Sequence, residues 1–120
     1  MKVDKFHIIN LIKDLILAVE NNLTNFPKSE IELKKNIRNS SYDMLLIAYE
    51  ANVTVDLELK KNLIDKLIAK IKYLDFLINL CYDKKIINGK KYVKFGENLD
   101  NIIRYSNGWR KMAEQPQTQK

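Results

Sequence analysis

Cysteine, histidine, glycine and proline are all scarce in this sequence, and each scarcity excludes a class of protein. The chain has a single cysteine, Cys81, so an internal disulfide is impossible. Its one histidine, His7, has no second histidine or neighbouring cysteine with which to share a metal ion, which favours a structural or surface role. Three glycines and two prolines in 120 residues are too few for a turn-rich β architecture, and they favour long helices.

Catalytic motifs and membrane-length apolar runs are also missing. The sequence has no glycine-rich phosphate loop, nucleophile elbow or paired-carboxylate motif, so we expect neither enzymatic activity nor a bound cofactor or metal. The strongest apolar run, residues 6–19, is too short to span a bilayer and carries Lys13 and Asp14 near its middle. No leader pattern opens the sequence, and we expect a cytoplasmic protein.

Four apolar-periodic segments are present, and they predict four helices. The first three should cover about 4–22, 30–51 and 57–83, and the fourth should follow a tight turn at Asn88-Gly89 and end near Met112. A hydrophobic content of 46% is enough for one core. Short connections make neighbouring helices antiparallel, so the fold class is all-α: an antiparallel up-down-up-down four-helix bundle over residues 1–112. A polar tail, 113–120, is predicted to be disordered.

Each predicted helix has an inward face at helical spacing. The cysteine falls on such a face, which predicts a small buried hydrophobe rather than a reactive thiol. The predicted core residues are Ile8, Ile12, Leu15 and Val19, with Ile9, Ile16 and Leu23 beside them; Leu33, Ile37, Ser41, Met44 and Ala48; Leu63, Leu67, Ile71, Leu74, Ile78 and Cys81; and Tyr92, Phe95, Leu99, Ile103 and Ser106.

The helix ends are marked by breakers and caps. Pro27 cannot continue the first helix, Phe26 can pack inward beside it, and Ser29 is predicted to cap the second helix. Asp56 is predicted to cap the third helix, whose negative C-terminal end suits the neighbouring Lys84. The stretch FPKSE, residues 26–30, is therefore interpreted as a structural corner.

Two further apolar stripes point away from the predicted core. They consist of Tyr42, Leu46 and Tyr49 on helix two, and of Tyr73, Phe76 and Leu80 on helix three. A soluble monomer rarely leaves so many aromatic side chains in water, so the stripes predict contacts between copies of the chain. The alternative is that the helix phases are misjudged and these residues line an ordinary core.

The positive charge is concentrated towards the C-terminal half. The formal net charge is +6, and residues 86–112 alone hold six basic and two acidic residues. A stripe opposite Leu99 predicts a phosphate-binding face; its members are Lys90, Lys94, Arg104 and Lys111, interrupted by Glu97. Two alternatives stay open: a solvated face with no ligand, or RNA contact through Lys34, Lys35 and Arg38 on helix two.

Several stretches together resemble a known family. FPKSE, then NIRNSSYDML and YEAN on the second helix, then LDFLINLCYDKKIINGKKY across the last turn, and finally SNGW are similar to the accessory variability determinant (Avd) proteins of diversity-generating retroelements. The likeness covers roughly residues 22–112. A related four-helix bundle family, encoded in intervening sequences of 23S ribosomal RNA genes, shares the FPKSE-like corner. Its second helix usually ends in alanine, glutamate and glycine, whereas this chain reads IAYEANVTVD.

The resemblance implies a small basic bundle that assembles as a homopentamer. Such a protein would bind the retroelement's reverse transcriptase and its template RNA, or an RNA/DNA hybrid, and support mutagenic complementary-DNA synthesis without catalysing it. The family motif designates no binding residues, so the basic stripe rests on the helical face alone. The other family remains the alternative and would make this chain a structural or protein-interaction module.

Overall fold

The computed structural model describes residues 5–114, which form four α-helices and one short 3-10 turn. The helices are α1 (Lys5–Leu23), α2 (Ile31–Val53), α3 (Leu57–Asp83) and α4 (Gly89–Glu114), and the 3-10 turn Lys28–Glu30 precedes α2. These residues contain no β-strand, which confirms the all-α class. No helix among them is long and apolar enough to cross a bilayer. The predicted first residue of helix one, Asp4, and residues 115–120 of the predicted tail lie outside the described part.

Neighbouring helices run antiparallel, as the contacts between their side chains show. Along each pair, residue numbers rise on one helix while they fall on the other. The contacts are Lys13 over the Tyr49 ring and Glu20 with Arg38 for α1 and α2; Asp43 with Lys70 and Glu30 with Lys84 for α2 and α3; and Asp65 with Arg110 and Tyr82 on Tyr92 for α3 and α4. Helix α1 also packs against α4, which closes the bundle.

The four inward faces meet in one apolar core. The predicted inward residues of α1 and α2 are buried except for Ile16, which is half-buried and packs against the core. On α3, Leu63 is only half-buried while its neighbour Ile64 is fully buried, and on α4 Ile102 and Trp109 are buried although neither was predicted. A bundle helix contacts two neighbours, so its buried stripe is wider than a single line of side chains. Helix α4 also continues to Glu114, with Ala113 buried, two residues past the predicted boundary.

The lone cysteine lies inside this core. The side chain of Cys81 is 1% exposed, and burial, with a smaller contribution from the charge of Glu30, raises the pKa of its thiol to about 11. The thiolate is the nucleophilic form, so the thiol is unreactive at neutral pH. The prediction of a small buried hydrophobe is confirmed.

The corner between α1 and α2 differs from prediction in its cap. Phe26 packs against the core as expected. The prediction that Ser29 caps α2 is wrong, because Ser29 is exposed and its side chain makes no capping hydrogen bond. Instead, the backbone N–H of Glu30 donates to the carbonyl of Pro27 at 3.0 Å, and the resulting 3-10 turn leads directly into the helix. A tightened first turn orders the backbone without a side-chain cap. The predicted cap of α3 is confirmed, since Asp56 accepts from the Leu59 N–H at 3.0 Å.

The turn between α3 and α4 also differs from prediction. A tight turn was expected at Asn88-Gly89, but Gly89 has a negative φ and is the first residue of α4, with Asn88 capping the Lys91 N–H at 2.9 Å. The reversal is made by Lys85, whose φ is 63°. The Ile86 N–H donates to the carbonyl of Cys81 and the Lys85 N–H to that of Tyr82, so α3 ends in a Schellman motif. A lysine occupies the left-handed position that glycine usually fills.

Replacing Lys85 with glycine is expected to stabilise the fold. A left-handed residue with a side chain costs about 1–2 kcal/mol, and part of that gain is offset by the greater freedom of glycine in the unfolded chain, so the free energy of unfolding should rise by about 0.5–1 kcal/mol. Urea denaturation followed by circular dichroism measures this. The control Lys85→Ala keeps a Cβ and should show no gain. Equal stabilities for the glycine and alanine variants would contradict the strain at this position.

Candidate nucleic-acid interface

The outer face of α4 carries the basic stripe, defined as Lys90, Lys94, Arg104 and Lys111. The inner face of the helix is buried from Phe95 through Leu99 and Ser106 to Trp109, and this packing fixes the rotation of the helix. All four side chains of the stripe are consequently exposed. The 21-residue separation of its first and last members corresponds to about 32 Å along the helix axis.

The basic side chains of the stripe are not held in ion pairs. Within residues 7–114, none of its four members forms an ion pair, although seven ion pairs occur elsewhere on the surface. Arg104 donates from Nη2 to the side-chain oxygen of Asn101 at 2.6 Å, and its guanidinium carbon lies 5.9 Å from the Tyr105 ring centroid. By contrast, Arg110 on the same helix is paired with Asp65 and Glu114. The stripe therefore presents cationic groups that a phosphate can reach.

Two shallow grooves accompany the basic stripe. One lies beside Lys90 and Lys94, with Val93 and Glu97, and the other beside Arg104 and Lys111, with Asp100 and Gly108. Each groove therefore also has one exposed carboxylate. The stripe thus consists of two cationic clusters, about 15 Å apart along the helix, which suits an extended polyanion better than a small anion.

The alternative basic surface on α2 is largely paired. Lys34 is half-buried, and Lys35 lies 3.9 Å from Glu32. The Arg38 Nε donates to Glu20 at 3.0 Å. Tyr42 also hydrogen-bonds to Glu20, and these two bonds, that of Tyr42 first, lower the pKa of the Glu20 carboxyl. Because Arg38 is already paired within the chain, α2 presents fewer cations to a ligand than α4 does.

Five of the six residues in the two apolar stripes point outward as predicted, and the prediction is wrong for Leu80. Their members are between 40% and 60% exposed, except Leu80, which is half-buried and packs against the core: Tyr42, Leu46 and Tyr49 on α2, and Tyr73, Phe76 and Leu80 on α3. The alternative that these residues line the core of the monomer is thus excluded for five of the six. Their role as an oligomer interface stays a prediction.

Sequence reasoning missed an aromatic pair at the α3–α4 turn. The rings of Tyr82 and Tyr92 stack with centroids 4.4 Å apart and planes 12° from parallel. The signal was available, because residues equally distant from the centre of a short turn between antiparallel helices come together, and 82 and 92 are both five residues from 87. Tyr92 does pack against the core as predicted, but the sequence placed the turn too late, so its contact with Tyr82 was not expected.

One acidic pair lies between α3 and α4. Partial burial of Asp75, and secondarily the charge of Asp100, raise the pKa of the Asp75 carboxyl.

No group of three His, Cys, Asp or Glu side chains in the described part of the chain is arranged to hold a metal ion. No protein-family model, curated protein or solved structure matches the chain. The feature with the clearest chemical capacity is thus the basic stripe, which can hold a polyanion by charge.

Replacing Phe76 with glutamate is expected to lower the oligomeric state and leave the helices intact. Phe76 is 55% exposed in the monomer, so the substitution should change monomer stability by less than about 0.5 kcal/mol, whereas a charge buried between subunits is costly. Native mass spectrometry measures the assembly, and circular dichroism measures the helicity. Leu59→Glu, on the same helix and 57% exposed, is the matched control and should assemble normally. A folded Phe76→Glu protein with an unchanged oligomeric state would exclude Phe76 from the interface.

Replacing Asp75 with asparagine is expected to give a small increase in stability at neutral pH. A raised pKa means that the folded chain binds more protons than the unfolded chain between the two pKa values, so stability falls as the pH rises through that window. The gain should therefore be complete at pH 7 and vanish in acid, below the ordinary aspartate value. Thermal melts across that pH range measure it. Asp100→Asn should reproduce part of the gain, because it removes the smaller of the two causes of the raised pKa. A gain in stability that does not change with pH would show that it does not come from the ionisation of Asp75.

Proposed function

We propose that this protein is a non-enzymatic accessory of a diversity-generating retroelement that binds template RNA and the reverse transcriptase and supports mutagenic complementary-DNA synthesis. The observation that carries the RNA-binding part is the row of exposed, unpaired cations on α4. The reverse transcriptase and the retroelement come from the resemblance of FPKSE, NIRNSSYDML, the α3–α4 stretch and SNGW to the Avd family.

Binding through the basic stripe would be governed by charge. Lysine and arginine side chains on phosphates release condensed counterions, which makes affinity fall steeply with salt and depend little on base sequence. Each chain contributes a formal net charge of +6, and an assembly of several chains multiplies it. A basic oligomer is suited to holding a long template next to a polymerase.

Assembly would use the outward apolar stripes on α2 and α3. A homo-oligomer repeats any binding surface by symmetry, so one stripe per chain becomes several on the particle. The Avd resemblance makes a homopentamer the expected state. The reverse transcriptase would then contact a composite surface rather than one bundle.

A second candidate function is a structural or protein-interaction module of the 23S ribosomal RNA intervening-sequence type. The exposed apolar residues of α2 and α3 favour it, because they suit a protein partner without any nucleic acid. Genomic position separates the two candidates. A neighbouring reverse-transcriptase gene with near-duplicate repeats supports the retroelement role, and a position inside a ribosomal RNA gene supports the alternative.

Replacing both Lys94 and Arg104 with glutamine is expected to weaken RNA binding while the bundle stays folded and oligomeric. Both side chains are exposed and neither forms an ion pair; the one internal hydrogen bond lost, from Arg104 to Asn101, is on the surface of the same helix, so the fold should be little affected. Each phosphate contact on single-stranded RNA contributes about −0.7 to the slope of log affinity against log salt. Loss of two contacts should therefore make the slope less negative by about 1.4 for each protein chain bound to the RNA. Fluorescence anisotropy with a labelled RNA at several salt concentrations measures both quantities.

The matched control removes the same charge from other faces. Lys35 on α2 and Lys66 on α3 are exposed, and a Lys35→Gln, Lys66→Gln double variant should bind RNA nearly as the parent does. If this control loses affinity and the Lys94, Arg104 variant does not, RNA binds through another surface. If the parent retains no RNA even at low salt, the protein-interaction alternative is favoured.

A further inference from the structure

The turn between α3 and α4 carries an exposed aromatic ring, that of Tyr82, and the ring of Tyr92 covers one of its faces. Tyr92 is half-buried and packs against the core, and the ring of Tyr82 stacks on it at 4.4 Å. Tyr82 itself remains 43% exposed, and the edge of its ring lies beside Gly89. An aromatic ring with one side anchored and the rest exposed costs little further ordering when a planar ligand stacks on it.

A groove opens beside this ring. Its volume is about 700 Å³, and Tyr82, Lys85, Asn88 and Lys91 are among its lining residues. Small-molecule sites in proteins typically have volumes of about 300–1,000 Å³, so the groove has room for a nucleotide. The side-chain oxygen of Asn88 accepts from the Lys91 N–H, and Lys85 and Lys91 are the cationic groups of the groove.

The charge of the groove is positive. Within the described residues, Lys85 and Lys91 form no ion pair, whereas the adjacent Lys84 is paired with Glu30 at 3.1 Å. Asp83 is the one carboxylate among the lining residues. The groove lies at the N-terminal end of α4, where Lys91 projects about 100° around the helix axis from Lys90, the first member of the stripe. A strand that leaves the stripe at Lys90 has to turn around this end of the helix to reach Tyr82.

The backbone at Lys85 is a further sign of function. Its left-handed conformation favours glycine, yet the position carries a long cationic side chain that lines the groove. Strained backbone positions cluster at functional sites. Neither the cap of α3 nor the packing of the core requires a lysine there.

We propose that the α3–α4 turn is a stacking site for one base of single-stranded RNA. The base stacks on the exposed ring of Tyr82, and Lys85 and Lys91 contact the phosphates on either side of it. This inference rests on the proposed RNA binding and adds to it a preference for unpaired bases, because a base inside a duplex cannot reach the ring. The basic stripe supplies charge along the strand, and the tyrosine fixes the position of one nucleotide.

The test compares two labelled strands of equal length and charge, oligouridylate and an abasic ribose-phosphate strand. The protein with its natural sequence should bind oligouridylate about tenfold more tightly, which is within the range expected for stacking one base. Tyr82→Leu should remove this preference, leaving abasic binding and the salt slope unchanged. Tyr82→Phe should keep the preference, because the ring stacks without its hydroxyl. Circular dichroism at the binding temperature verifies that each variant is folded.

Lys85→Gly provides an independent readout. The variant should be more stable than the parent yet bind both strands several-fold more weakly, with a flatter salt slope, because a phosphate contact is lost. The control Lys66→Gln removes one charge from an exposed position elsewhere on α3. It should weaken binding of oligouridylate and of the abasic strand less than Lys85→Gly does. Greater stability with unchanged affinity would show that Lys85 contributes nothing to binding and would overturn its assignment.

The outcomes separate this inference from the proposed function. Equal affinity of the parent for the two strands would overturn the stacking site, even if Tyr82→Leu failed to fold. If the Lys94, Arg104 variant nonetheless lost affinity, RNA binding by the stripe would stand without the stacking site. If neither strand bound at low salt, both proposals would fail together.

Discussion

Burial of one apolar layer shared by four helices determines where every other side chain of this protein lies. Ile12, Met44, Leu67 and Leu99 come from different helices and are each at most 1% exposed. Because an α-helix repeats every 3.6 residues, fixing one face of each helix fixes the opposite face as well. The exposure of Phe76 on α3 and of Lys94 on α4 follows directly from that packing.

Ion pairs between helices then decide which charges remain available to a ligand. They join α1 to α2 through Glu20 and Arg38, α2 to α3 through Asp43 and Lys70, and α3 to α4 through Asp65 and Arg110. Such exposed pairs add little stability, but each one neutralises a cation that a phosphate would otherwise meet. The outer face of α4 has no facing helix and retains its positive charge. Six basic and three acidic residues in 89–114 give α4 half of the formal net charge of +6.

At the α3–α4 turn, a backbone conformation that costs stability places a cation beside an exposed aromatic ring. A glycine at position 85 would satisfy the Schellman motif with less strain, and a lysine there adds a cation to a groove lined by Tyr82. The neighbouring stacked rings join the end of α3 to the start of α4, so the turn is held by packing as well as by its backbone hydrogen bonds. A rigid turn is a suitable place for a binding residue, since little entropy is lost on binding.

The sequence alone determined the features that depend on local order. Apolar periodicity predicted the four helices and nearly all of their buried faces, and the cap at Asp56 followed from one residue's capacity to accept a backbone hydrogen bond. Contacts between distant residues were decided only by the tertiary structure: the pairing of Arg38 but not of Lys94, the burial of Ile64 in preference to Leu63, and the stack of Tyr82 on Tyr92. The turn at Lys85 belongs to the same group, because the packing of α4 on α3 imposes a reversal that the intrinsic preference of lysine disfavours. Periodicity reports which face of a helix is apolar, whereas the partner of a side chain depends on the helix placed beside it.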